Sequence, residues 1–243
     1  MNRFVPTSIF AEIEDGVRYA RTWRRAVVIQ GPAGIGKTMA LKRIAAANRD
    51  EAYLLRVAFP QRQDKAAVNS IADTLGIYTQ KRTMRQIWGE VESTAEELGE
   101  CGHFLMIDEA QVLDLNMMKE LVDLPSERGL PVILCGNDQL LKRTRAASAA
   151  WDQIASRCGK RVALTKPQEQ DLISIAIDFD VVGSDARNAI VSYGFQTSIR
   201  EFVQLLEAGR DLAGKGPLTL NILRTAVVTI RGSLSAVRLL KSA

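Results

Sequence analysis

Histidine is almost missing from this 243-residue chain, and cysteine is scarce. His103 stands alone, and Cys101, Cys135 and Cys158 are odd in number with no CxxC pairing. That set neither completes a metal site nor builds a disulfide framework, and it reads as reduced thiols in or near a core. Apolar runs of about 18–20 residues, the length a spanning helix needs, do not occur, so no membrane partner is expected. The opening segment, Met1–Glu14, lacks the charged-then-apolar order of a secretion signal, and the cytoplasm of a bacterial host cell is the expected compartment. Aromatic residues make up 6% of the chain and form no ladder, and no base-reading motif stands out. With 47% apolar and 25% charged residues, the composition is that of an ordinary soluble globular protein. One α/β domain with a small addition fits the length.

Acids and bases are segregated along the chain. Eleven acids and one base, Lys119, lie between Glu90 and Glu127, whereas Arg128–Lys166 holds eight bases and two acids. From Leu212 onwards there are five bases and no acid. Blocks of this kind usually make solvated faces, but they also suit an anionic partner or head-to-tail self-association.

The strand pattern is regular. Ala26–Gln30, Tyr53–Phe59, Phe104–Ile107, Pro131–Cys135 and Arg161–Leu164 are short apolar runs. Helical stretches separate them at Lys37–Ala47, Lys65–Leu75, Met84–Leu98, Met117–Leu124 and Gln139–Ala155. The alternation predicts a five-stranded parallel α/β sheet with helices on both faces. Beyond Lys166-Pro167 the runs Gln168–Ile177, Asp185–Ser192, Ser198–Leu212 and Leu218–Ile230 read as helices only. The expected organisation is therefore a linker at residues 1–25, an α/β domain at 26–166, and a helical lid with a basic tail at 167–243.

Gly31-Pro32-Ala33-Gly34-Ile35-Gly36-Lys37-Thr38 matches G-x-x-x-x-G-K-[ST] in full, between a strand and a helix. In such a loop, glycines let backbone N–H groups converge on a phosphate at the positive end of the following helix. Lys37 is expected on the β/γ oxygens of ATP, the Thr38 hydroxyl on Mg²⁺, and Met39 completes the binding segment. About seventy residues on, Phe104–Ile107 ends in Asp108-Glu109, two carboxylates at the C-terminal end of a buried strand. Asp108 is expected to hold Mg²⁺, usually through water, and Glu109 to act as general base on the attacking water.

These two motifs, with Ala110-Gln111 after the acids, a polar Asn137 ending the next strand and a helical tail, resemble AAA+ ATPases. More narrowly, they look like the DNA transposition ATPases of the phage Mu B-like, Tn7-type regulator and ExeA-like kind, over about residues 10–215. The resemblance implies a sensor role for Asn137, a trans-acting arginine finger at Arg157, and a lid arginine, Arg200, that couples nucleotide to lid position. Arg143, Arg145 and Arg161 compete with Arg157 for the finger role. It also implies double-stranded DNA, a transposase and further copies of the chain, in a ring or helical filament, as partners. Because the loop begins thirty residues in, DNA contact is expected from the ATPase body and tail rather than from a preceding domain. Three basic clusters are candidates: Lys81, Arg82 and Arg85; Lys142, Arg143 and Arg145; and Arg224, Arg231 and Arg238, which recur every seven residues and would share a side of one continuous helix with Lys241. Binding through them would be phosphate contact, largely indifferent to sequence. Two alternatives stay open, an ExeA-like assembly ATPase acting on proteins and a replication initiator or loader.

Overall fold

The computed structural model describes residues 4–58, 64–140 and 154–240. It divides into two compact units, one of Glu12–Pro32 and Lys37–Leu164, the other of Met1–Ala11, Ala33–Gly36 and Thr165–Ala243.

The larger unit is built on a sheet of β1 (Ala26–Gln30), β2 (Ala52–Arg56), β3 (Phe104–Asp108), β4 (Val132–Gly136) and β5 (Cys158–Ala163). Its spatial order is β2-β3-β4-β1-β5, and every pairing is parallel. Burial follows that order. β3 and β4 are buried at every position, because helices cover both faces of a central parallel strand. The edge strands β2 and β5 carry exposed positions. This explains why β5 begins three residues before the apolar run Arg161–Leu164: Cys158, Gly159, Lys160 and Arg161 are polar or small, as an edge tolerates. A register irregularity at Ala26/Val27 marks its start.

Helix α1 (Ser8–Trp23) occupies the segment expected to be a linker. Ile9, Ile13, Val17 and Ala20 are all buried, at spacings of three and four that place them on one helical face. A side chain at Gly16 would meet Val162 at 3.2 Å and Ile29 at 3.4 Å, so glycine lets this part of α1 lie close to the sheet. α2 (Lys37–Ala47) follows the loop after β1, and α3 (Asp64–Thr74) and α4 (Met84–Glu100) join β2 to β3. Thr83 caps α4 in a capping box with Gln86. α5 (Leu115–Arg128) leads into β4, capped by Asp114, whose carboxylate accepts from Met117 N at 2.8 Å.

The smaller unit is helical: α6 (Glu169–Asp178), α7 (Ser184–Gln196), α8 (Ile199–Ala213), α9 (Leu220–Arg231) and a 3₁₀ segment, Leu234–Leu240. They enclose a core that includes Leu172, Tyr193, Phe202, Leu206 and Leu223. Asp171 is buried there but satisfied, accepting from Ser8 N at 2.7 Å, Ser8 Oγ at 2.6 Å and Gln168 N at 2.8 Å. Most of the stretch expected as the helix Gln139–Ala155 lies outside the described residues.

Candidate active site

In the sheet, β4 separates β1 from β3, with Gln30 level with Gly136 and Ile107 level with Leu134. The C-terminal ends of three adjacent strands therefore present Gly31, Asp108 and Asn137 along one edge, where ligands bind in open α/β sheets. Asp108 is 2% exposed. Its Oδ2 accepts from Thr38 Oγ1 at 2.7 Å, and its Oδ1 accepts from the backbone N–H of Glu109 at 3.0 Å. The first of these bonds joins the first turn of α2 to the end of β3, and the second fixes the carboxylate locally. A carboxylate and a hydroxyl so placed are hard oxygen donors of the sort Mg²⁺ takes.

Lys37 donates to the carbonyls of Gly31 at 2.8 Å and Pro32 at 2.7 Å, so its ammonium sits on neutral acceptors of the loop itself. Burial lowers its pKa, while the Cys135, Glu109, Asp108 and Asp138 side chains oppose the shift. A half-desolvated cation held on weak neutral acceptors is suited to an anionic ligand. Cys135 is pushed well above the usual thiol range, first by burial and then by the charge of Asp108, and Cys158 rises to about 11 through burial. Burial thus favours the protonated, less reactive form of both thiols. The loop itself needs its glycines: Gly34 has φ +77° and Gly36 φ +103°, both in the left-handed region that side chains disfavour.

Glu109 is unusual for a non-glycine residue, with φ 59° and ψ 32°. It starts the single 3₁₀ turn Ala110–Val112, which carries Gln111 back over the end of β4. Gln111 Nε2 donates to Glu109 Oε2 at 2.5 Å, and Gln111 Oε1 accepts from Asn137 N at 3.1 Å. Sequence reasoning assigned Gln111 no role of its own. The only local sign was a polar residue two places after the acids. Asn137, expected as the sensor, stands at the end of β4, with its Oδ1 accepting from Gln139 N at 2.9 Å.

The remaining expected residues make other contacts. Arg157 is exposed and forms an ion pair with Asp123 of α5 in its own chain. Arg200 is exposed in the helical unit, where its backbone N–H donates to Gly34 O at 3.0 Å. Lys81 (φ 58°) and Arg85 are exposed beside the Thr83 cap, while Arg82 pairs with Glu90. The seven-residue stripe is not carried by one helix, because α9 ends at Arg231 with Gly232 in the left-handed conformation and a 3₁₀ segment follows. Arg231 is held by Glu201 at 2.6 Å and Tyr193 Oη at 3.3 Å, whereas Arg224 and Arg238 line a shallow pocket with Asp185. Lys142, Arg143, Arg145 and Lys241 lie outside the described residues. Among the described residues no cluster of His, Cys, Asp and Glu could hold a metal by itself, and no helix is long and apolar enough to cross a membrane.

Known proteins resemble this chain in sequence and in fold. A family model described as "AAA domain" matches residues 21–144, about half of the chain. The Mu-like prophage FluMu DNA transposition protein B of Haemophilus influenzae is 25% identical over 180 residues, covering 71% of this chain and 60% of that protein. The ATP-dependent target DNA activator B of Escherichia phage Mu is 24% identical over 183 residues, covering 74% and 57%. The chain thus spans about three fifths of the length of these relatives. In fold it is similar to Cdc6p from Pyrobaculum aerophilum, with TM-score 0.67 at 14% identity, covering 95% of this chain and 70% of that one. It is also similar to the Thermotoga maritima RuvB Holliday junction branch migration motor, with TM-score 0.58 at 15% identity, covering 94% and 70%.

Proposed function

Since the chain belongs to the AAA domain family, we propose that it is a Mg²⁺-dependent ATPase that assembles on double-stranded DNA and activates that DNA for a transposase. The observation that carries the ATPase half is the bonded set Thr38–Asp108–Glu109 at the end of β3. The DNA half rests on the relatives, which are named as transposition protein B and as target DNA activator B.

The residues present fit Mg-ATP. Gly31–Thr38, with Met39, would wrap the phosphates, Lys37 would exchange its loop carbonyls for β/γ oxygens, and Thr38 and Asp108 would hold Mg²⁺. The ion supplies charge neutralisation and polarisation at the phosphoryl group. Glu109, one residue beyond the metal ligand, would take the proton of the attacking water as general base. Asn137, at the end of the neighbouring strand, would orient that water or read the γ-phosphate. Arg157 would act in a neighbouring copy's site after leaving Asp123, and Arg200 would couple lid position to nucleotide.

In this reading ATP drives assembly as a ring or helical filament, hydrolysis dissolves it, and the bacterial host's cytoplasm is the setting. Electron microscopy of the purified chain with ATP, with and without duplex DNA, tests it. Filaments or rings that need both are expected. Assemblies that form equally without DNA, with no duplex bound at low salt, would shift the reading to an ATPase acting on proteins.

A further inference from the structure

Gln111 links two groups that sit on different strands. Its amide nitrogen reaches the carboxylate of Glu109 at 2.5 Å, and its amide oxygen takes the backbone N–H of Asn137 at 3.1 Å. The residue is 9% exposed, and its turn is fixed at both ends, by Val112 N on Glu109 O at 2.9 Å and Leu113 N on Ala110 O at 3.1 Å. Room for the amide comes from Gly136: a Cβ there would lie 2.5 Å from Gln111 Oε1. That glycine has no positive φ to satisfy; what a side chain would meet there is first Gln111 and then Leu140, at 3.1 Å.

We propose that Gln111 is a positioning residue that aims the Glu109 carboxylate and ties that aim to the backbone at the end of β4. A carboxylate on a left-handed backbone residue has several directions open to it, and a charge-assisted hydrogen bond selects one. Because the same amide also holds Asn137 N, any change in the Asn137 turn on ligand binding moves the donor that holds Glu109. Sensing at β4 and basicity at β3 thus become one event. The inference rests on the proposed ATPase reading and adds a residue to it.

Three variants test it, with ATPase kinetics and backbone amide exchange as readouts. Gln111→Met keeps the length and apolar packing of the side chain but neither hydrogen bond. It should lower kcat by about tenfold to a hundredfold, the scale of a small misplacement of a catalytic group, with KM for ATP within about twofold. Without nucleotide, its Asn137 amide should exchange faster than the parent's. Gly136→Ala pushes the amide away from the other side and should lower kcat in the same way. In the double variant the second change should add less than about twofold, because both act through one contact. A Gln111→Met protein that keeps the parental kcat and the parental Asn137 exchange overturns the inference while leaving the ATPase reading intact. Fully multiplicative losses in the double variant overturn it as well. A parental chain that hydrolyses no ATP overturns the ATPase reading and this inference with it.

Discussion

The strand-end site and the basic clusters are both charged, yet they are held in opposite ways. Asp108 is buried and bonded to Thr38 and to its own neighbour's N–H, and Glu109 is bonded to Gln111. Lys81, Arg85, Arg224 and Arg238 are exposed on helix ends and surfaces. A charge gains a defined geometry where a sheet removes water and supplies partners, and a solvated charge gains little. The first kind suits chemistry at one atom. The second suits a diffuse anionic surface such as a DNA backbone, where each contact is worth little but several sum.

Arg157 is the sharpest challenge to that division, because it is exposed and paired with Asp123 yet expected to be catalytic. If it serves a neighbouring copy, Arg157→Ala should lower turnover by about 10³–10⁵-fold, the worth of an arginine supplied in trans. Turnover per chain should also rise with protein concentration. Mixing Arg157→Ala with Lys37→Ala should restore part of the activity, since each supplies what the other lacks. A mixture as inactive as its components would place the finger in cis or on another residue.

Within the strand-end site, Glu109→Gln should lower turnover by about 10²–10⁴-fold while ATP binding persists. Lys37→Ala should lose most of the binding itself. Fluorescent-nucleotide titration with phosphate release separates the two, and a Glu109→Gln protein with parental turnover would remove the general base from β3.

The difference between the regions also explains what the sequence made legible. Gly31–Thr38 and Asp108-Glu109 are contiguous, and each follows a buried strand, so local pattern was enough. Asn137 could be placed because it ends such a strand. Gln111 could not, because its meaning depends on a backbone amide 26 residues away. Arg231 shows the same limit: its spacing from Arg224 and Arg238 is regular, but Gly232 ends the helix and Glu201, 30 residues back, takes the guanidinium. α1 lies in the segment expected as a linker: Ile9, Ile13, Val17 and Ala20 carry a helical spacing, but Glu12, Glu14, Asp15, Gly16 and Arg18 between them dilute that signal.

Two glycines on α4 make a smaller test of how tightly the α/β unit is packed around its site. A Cβ at Gly99 would fall 2.6 Å from the carbonyl carbon of Gly129 and 2.8 Å from Leu130 N, backbone atoms leading into β4. Gly99→Ala should therefore destabilise by about 1–3 kcal/mol through overpacking, outweighing the roughly 1 kcal/mol that alanine gains in a helix. Gly89, ten residues earlier, has nothing within 4 Å of its Cβ position. Gly89→Ala should raise stability by about 0.4–1 kcal/mol. Denaturant melts of the two variants give opposite signs if α4 packs as described, and equal signs would contradict it.

The smallest expected effects separate the basic residues from one another. Removing one cation that touches a phosphate should flatten the dependence of log affinity on log salt by about one unit. Lys81→Ala and Arg85→Ala, both exposed, should each do so if that cluster meets DNA. Arg82 is shared with Glu90, so Arg82→Ala should flatten the slope by less. Its removal also frees a carboxylate that repels phosphate, so affinity should fall at low salt while the slope changes little. In the tail the same logic divides Arg224 and Arg238, which line a pocket, from Arg231, which Glu201 and Tyr193 already hold. Titration of fluorescent duplex at several salt concentrations, with ATP saturating, measures every slope. The weakening should be alike on unrelated duplexes, because contacts to phosphate carry no sequence information. If Arg82→Ala and Arg231→Ala flatten the slope as much as their exposed neighbours, those ion pairs open on binding and the pairing seen in the single chain has no bearing on DNA. If the parental chain binds no duplex at low salt, the cluster beside Thr83 and the tail cluster are both ordinary surface charge, and the strand-end site is left as the one functional region of the two compared.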